Sequence, residues 1–237
     1  MVASPIKNLS QLENAICNCK KCPRLVKWTK DVAKEKRKSY ENEVYWGKPV
    51  PGFGDKKPKL LVVGLAPGAH GANRTGRIFT GDRSGEWLFR AMHRAGFANQ
   101  AQSINKKDGL KLNQARVITA VRCAPPDNKP TIKERDTCNK WMDLEWKFIE
   151  KDLKVVIALG SFAWKAAIVI LLEQGFIPKN KVKFSHGAKC VYLKQNQQIT
   201  LLGSYHPSQQ NTFTGRLSEA MLDQVFGTAS KLISTQK

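Results

Sequence analysis

The sequence is short of several things, and each shortage closes off a class of protein. No apolar run approaches the roughly 20 residues that a bilayer-spanning helix needs. The start, Met1-Val2-Ala3-Ser4-Pro5, lacks the apolar stretch of a secretory leader. Neither the phosphate-binding pattern G-x-x-x-x-G-K-[ST] nor the dinucleotide pattern G-x-G-x-x-G is present, which argues against a nucleotide-binding enzyme. There is no internal repeat. Acidic residues are scarce, 19 Asp+Glu against 40 Lys+Arg, giving a net charge of +21. That imbalance favours a polyanionic partner. The expectation is a cytoplasmic, nucleoid-associated protein that faces nucleic acid and no membrane.

With 237 residues, 41% of them hydrophobic, the chain is long enough for one sizeable domain with a real core. Apolar runs at 59–65, 115–121 and 154–159 read as buried strands. Short strands follow at 190–193 and 198–202. Helices are expected over 6–17, 84–95, 131–151, 161–174 and 216–233. Ser84 is a candidate N-cap, and Thr131 with Glu134 forms a capping box. The lysine-rich stretch 27–38 reads as a solvated helix face, and 45–54, with two prolines and three glycines, as an ordered loop. Strand and helix in alternation indicate a parallel sheet with helices on both faces. No domain boundary is visible, so residues 1–237 are read as a single domain.

In such a sheet the loops after the strands emerge at one edge, where ligands bind. These loops hold the unusual residues. The first, GLAPGAHGANRTGRIFTGD over 64–82, combines five glycines with His70, Asn73, Arg74, Arg77, Phe79 and Asp82. Glycines let backbone N–H groups come close to a ligand. A mobile surface loop would not explain Phe79 among polar groups. The last, YHPSQQNTFTGRL over 205–217, sets His206 directly before proline at the end of a strand. The hydroxyls and amides after it suit phosphate contacts.

Six cysteines are present: Cys17, Cys19, Cys22, Cys123, Cys138 and Cys190. Cys19 and Cys22 stand at C-x2-C spacing, whereas Cys123 and Cys138 are separated by 14 residues. A zinc ribbon normally shows two tight knuckles. Four thiolates from distant segments suit an iron–sulfur centre, with zinc or unliganded thiols as alternatives. Cys190 reads as a buried apolar residue; Cys17 competes with Cys19 for a ligand role.

Together these pieces resemble one family. GLAPGAHGANRTGRIFTGD, YWGKPVPGFGD, VRCAPPDNKP and HPSQQNTFTGRL are similar to the motifs of the uracil-DNA glycosylase superfamily, in particular its fifth family, often termed type b. The similarity runs from Cys19 to about Leu217. It implies a three-layer α/β/α fold around a central four-stranded parallel sheet. It also implies a 4Fe–4S cluster on Cys19, Cys22, Cys123 and Cys138, and removal of uracil and other deaminated bases, hypoxanthine and xanthine among them, from DNA. The catalytic set implied is His206, Asp82 and Asn128. Gly64, Ala66, Gly68, His70 and Phe79 would hold the base. Asn73, Arg74, Ser208, Asn211, Arg216 and Leu217 would contact DNA, with Arg216 and Leu217 as the wedge into the duplex. Many superfamily members carry Asp or Asn where this chain has Ala66, so water activation would fall to another group. The partner expected is double-stranded DNA, with single-stranded DNA left open, bound by a monomer. A sliding clamp or other repair partner is not identifiable from sequence. The rival is a non-catalytic, metal-stabilised nucleic-acid binder, which leaves Phe79, Asp82 and His206 without a task.

Overall fold

The computed structural model describes residues 5–235; the segment 1–4, read above as lacking a leader, lies outside them. Seven strands form one sheet: β1 (Phe53–Gly54), β2 (Leu60–Gly64), β3 (Ala115–Thr119), β4 (Val155–Leu159), β5 (Ile177–Pro178), β6 (Lys189–Lys194) and β7 (Gln197–Ser204). Their order is β1-β3-β2-β4-β7-β6-β5. The pairs β3–β2, β2–β4 and β4–β7 are parallel, and β1, β6 and β5 are antiparallel additions at the edges. The four parallel strands stand at the centre as expected, but the sheet is wider than four. Part of the surplus comes from residues 53–54, read from their prolines and glycines as loop.

Helices cover both faces. Side chains alternate along β2. Leu61 and Val63 pack with α1 (Leu9–Cys17), α5 (Ile132–Ile149) and α6 (Ser161–Glu173). Leu60 and Val62 pack with α4 (Arg83–Arg94) and α8 (Glu219–Thr235). The central strands β2, β3 and β4 are therefore buried along their whole length, and mostly apolar, because neither face meets water. Three further helices border the sheet's functional edge: α2 (Pro23–Glu35), α3 (Ala72–Thr75) and α7 (Gln209–Phe213). Helix α2 includes much of the charged stretch 27–38; it buries Leu25, Thr29 and Val32 and turns its lysines outward.

Three element starts differ from expectation. Helix α1 begins at Leu9 instead of residue 6, with the Asn8 side chain accepting from the Gln11 N–H. Helix α4 is capped by Asp82, whose side chain accepts from the Gly85 N–H, rather than by Ser84. Helix α8 begins at Glu219 instead of residue 216, because Leu217 is drawn into the core and Ser218 accepts from the Met221 N–H. The capping box at Thr131 and Glu134 is present.

Buried charge holds the frame. Glu145 of α5 is fully buried between Arg116 of β3, at 2.6 Å, and Arg122. Arg116 also pairs with Glu13 of α1 at 2.8 Å. Gly52 leaves room for this network: a Cβ there would lie 2.2 Å from a Glu145 carboxylate oxygen. A second pair fixes the first loop. Arg77 grips Asp108 with two bonds of 2.6 and 2.9 Å and also reaches Thr80 and Ser103. Burial opposes the Asp108 charge, but Arg77 and the N–H groups of Leu110 and Ile104 prevail and draw its carboxyl down to about 2.

Removing one partner of a buried pair strands the other charge. Glu145→Gln should lower unfolding free energy by about 3–5 kcal/mol in denaturant titrations, and a loss under about 1 kcal/mol would contradict the network's role. Asp108 has a depressed folded-state pKa, so its contribution is complete above the unfolded value near 4 and vanishes as pH falls toward 2. Asp108→Asn should remove about 2 kcal/mol at neutral pH, and it should flatten the acid limb of the stability profile between those two pH values. An unchanged acid limb would show that the pair contributes nothing.

Candidate active site

Parallel pairing aligns Gly64 with Thr119 and Leu159 with Ser204, so the loops after β2, β3, β4 and β7 leave from one edge. There the structure brings Phe79 and His206 together. Their ring centroids are 5.8 Å apart and their planes inclined by 33°. Phe79 is 6% exposed and has a left-handed backbone, φ 52°. Two glycines make room for it. A Cβ on Gly64 would lie 2.7 Å from the Phe79 ring, and one on Gly85 would lie 1.9 Å from the Phe79 carbonyl oxygen.

His206 follows β7, and the Gly160 backbone at the end of β4 faces its Cβ. Asn211 donates to the His206 carbonyl at 2.9 Å, and Ser208 caps α7 by accepting from the Asn211 N–H. Burial alone lowers the His206 imidazole to about 4, so it is neutral at ordinary pH. Asp82 turns one carboxylate oxygen to the Gly85 N–H at 2.9 Å and the other toward Gly68 and Gly71. A Cβ on Gly71 would lie 1.9 Å from that second oxygen. Burial raises the Asp82 carboxyl, opposed by the Gly85 and Ser84 N–H groups. Asp82 also borders an open groove formed with Tyr40, Arg74, Glu86 and Arg90.

Next in the loop, His70 is fixed by Tyr45, with hydroxyl and Nδ1 3.1 Å apart. Tyr45 went unnoticed in the sequence, although the YWGKPVPGFGD segment was singled out. Ala66 packs against the apolar group of Leu25, Val121 and Cys123, so the position at which the resemblance implied Asp or Asn in many superfamily members has apolar surroundings here. Asn128 is exposed on a tight turn with φ 55°, and no hydrogen bond or ring contact joins it to Phe79 or His206 among the described residues.

Three residues expected to contact DNA do other work. Asn73 is fully buried and donates to the Thr29 carbonyl. Arg74 is 8% exposed, bonds to the carbonyls of His70 and Gly81, and lies over the Tyr40 ring. Both brace the loop from within. Leu217 is 1% exposed and belongs to the core beside Leu222 and Phe226, so it is no wedge. Its neighbour Arg216 is exposed, with its guanidinium 4.7 Å above the Tyr205 ring.

Cys19, Cys22, Cys123 and Cys138 line one pocket with Leu25, Val121 and Trp141. The Arg122 N–H donates to the Cys138 sulfur at 3.3 Å and the Trp141 indole to the Cys19 sulfur at 3.4 Å. Arg24, just past Cys22, clasps Glu134 one turn before Cys138, tying α2 to α5. Burial pushes Cys138 up to about 11 and Cys123 further still, a cost that a bound cation would offset. Among the described residues no three Cys, His, Asp or Glu groups are disposed to hold a metal ion. The four sulfurs do share a mainly apolar pocket with two N–H donors, which fits a group that takes four thiolates. Cys17 lies outside that pocket, and Cys190 is buried against the Asn180 carbonyl. No helix among the described residues is long and apolar enough to cross a membrane.

Comparison with known proteins agrees with this geometry. The model of the uracil DNA glycosylase superfamily matches residues 51–228. A type-5 uracil-DNA glycosylase of Mycobacterium leprae is 48% identical over 232 residues, 98% of this chain and 99% of that protein. One of Mycobacterium bovis is 48% identical over 95% of this chain and 82% of its own length. One of Thermus thermophilus is 44% identical over 90% of this chain and 93% of its own. With a buried aromatic ring and a neutral histidine side by side at the carboxyl edge of its sheet, and a family model spanning most of its length, the chain belongs to the uracil-DNA glycosylase superfamily.

Proposed function

We propose that this protein is a monofunctional DNA glycosylase. It hydrolyses the N-glycosidic bond of uracil, and of hypoxanthine and xanthine, in DNA and so initiates base excision repair. The observation that carries the reading is the Phe79–His206 pair, side by side at the strand ends.

A base inside a duplex is out of reach, so the nucleotide must be everted at a cost of a few kcal/mol. Phe79 offers the everted base a stacking surface worth roughly 1–3 kcal/mol. When the C1′–N bond breaks, the electron pair leaves with the base and positive charge builds on the sugar. His206, kept neutral by burial, donates its ring N–H to a base carbonyl oxygen as negative charge gathers there. Water attacks C1′, and the proton it gives up passes through solvent to the departed base anion, which leaves as the neutral base. Asp82 orients that water or steadies the sugar cation; Asn128, on the exposed turn after Cys123, contacts base or water once DNA is bound. The surplus of lysine and arginine, 40 against 19 acidic residues, supplies sequence-independent and salt-sensitive attraction to the phosphates.

The four cysteines would hold a 4Fe–4S cluster. Its part in this scheme is structural: it would join the segment before α2 to α5 and to the loop that carries Asn128. A zinc ion would need its four sulfurs within about 4 Å of one another, as Zn–S bonds near 2.3 Å require.

Four measurements test the reading. Incubation with a U·G oligonucleotide followed by alkali should cleave the strand, whereas a non-catalytic binder would leave it intact; hypoxanthine and xanthine substrates set the range. His206→Ala should slow single-turnover excision by about 10²–10³-fold, and an unchanged rate would remove its assigned role. Because His206 titrates near 4, excision between pH 5.5 and 8 should show no step belonging to it; a step near 6.5 that disappears in His206→Asn would mean that the imidazolium acts instead. Protein prepared without oxygen should be brown, absorbing near about 400 nm, and Cys123→Ser should lose both colour and iron. Colourless protein carrying one zinc would overturn the cluster.

A further inference from the structure

With Leu217 in the core, only Arg216 of the two residues expected as a wedge stays exposed, and the second loop exposes a large apolar side chain besides. Phe213, the last residue of α7, is 65% exposed. A single exposed apolar residue is ordinary on a protein surface. Phe213 differs in its placement. Helix α7 is capped by Ser208, and Asn211 within it bonds the His206 carbonyl at 2.9 Å. The Leu217 N–H, in turn, donates to the Asn211 carbonyl at 3.0 Å, anchoring the turn to the core. Phe213 is thus an apolar tip on a short element braced at both ends.

Its neighbour adds a second observation. The Arg83 guanidinium lies 4.4 Å above the Phe213 ring. Arg83 is the residue after Asp82, at the end of the first loop, and it is exposed. The pair therefore joins the loop bearing Asp82 to the loop bearing His206, at the solvent-facing rim. An exposed aromatic ring backed by a cation is suited to DNA twice over. The ring can enter a base stack, and the cation can meet the phosphate beside it.

We infer that Phe213, propped by Arg83, fills the gap left in a duplex by the everted nucleotide, and so decides how much the enzyme favours double-stranded over single-stranded substrate. The inference rests on uracil excision from DNA as proposed above. A duplex keeps an unpartnered base and two flanking pairs that must be held open. A single strand has no such gap. Phe213 is a positioning residue in this scheme, since it touches neither the departing base nor the water.

The test compares wild type, Phe213→Ala and Phe213→Leu on uracil placed in a U·A duplex, a U·G duplex and a single strand, with thermal melting to confirm that each variant folds. Phe213→Ala should lose on the order of tenfold or more in kcat/KM on the duplexes, most on U·A, whose pair is harder to open. It should keep the wild-type rate on the single strand, and Phe213→Leu should recover most of the loss. Binding to a duplex with 2-aminopurine beside a non-cleavable uracil analogue should raise fluorescence in wild type and much less in Phe213→Ala. Equal rates on all three substrates would overturn the inference, as would equal losses on duplex and single strand. A wild-type protein that excises no uracil would instead overturn the proposed function, and the two failures are told apart by that control.

Discussion

Phe79 sits in a backbone conformation that costs a side chain of its kind about 1–3 kcal/mol, and much of the surrounding loop exists to hold it there. Its ring presses on Gly64, where any Cβ would intrude, and its carbonyl occupies the space a side chain at Gly85 would need. Arg77, two residues earlier, is locked to Asp108, Ser103 and Thr80. Arg74 ties the same loop to the Gly81 carbonyl. The strain is thereby met by contacts on every side, and the ring is delivered to His206 at the end of another strand. A stacking surface placed beforehand need not be ordered when the base arrives.

The basic character of the chain divides into two uses. Arg74, Arg77, Arg116 and Arg122 are all buried and paired or bonded to carbonyls, so they belong to the frame. The lysines of α2 and of the segment 179–189 lie on the surface, where they add to the positive field. Net charge alone overstates how much of the surplus faces DNA. The buried arginines do architectural work, and the more numerous surface lysines, with exposed Arg216, supply attraction.

This division also explains what the sequence could and could not convey. Apolar runs marked every parallel strand, because a strand buried on both faces has no alternation to confuse it. The juxtaposition of Phe79 and His206 was legible as well, since loops after parallel strands share an edge. The edge strands were harder: β1 is two residues within a proline- and glycine-rich segment, and its pairing with β3 depends on tertiary contact. Side-chain direction was not legible. Asn73, Arg74 and Leu217 lie in motif loops beside exposed residues, and nothing local tells which of them turns inward. Asp108 is a lone residue with no pattern around it, and Tyr45 lies in a noted segment that says nothing of its partner; Arg77 and His70 are 31 and 25 positions away from them. The four thiols were grouped from spacing, and they do meet in one pocket.

The central claim is that Phe79 and His206 together receive one everted base. The most direct test is a crystal structure of the His206→Asn variant bound to a duplex containing uracil. The account predicts the uracil ring outside the helix, lying flat on Phe79 with a carbonyl oxygen within hydrogen-bond reach of residue 206. An extrahelical uracil lodged elsewhere, or a bound duplex with no base against these two side chains, would contradict it.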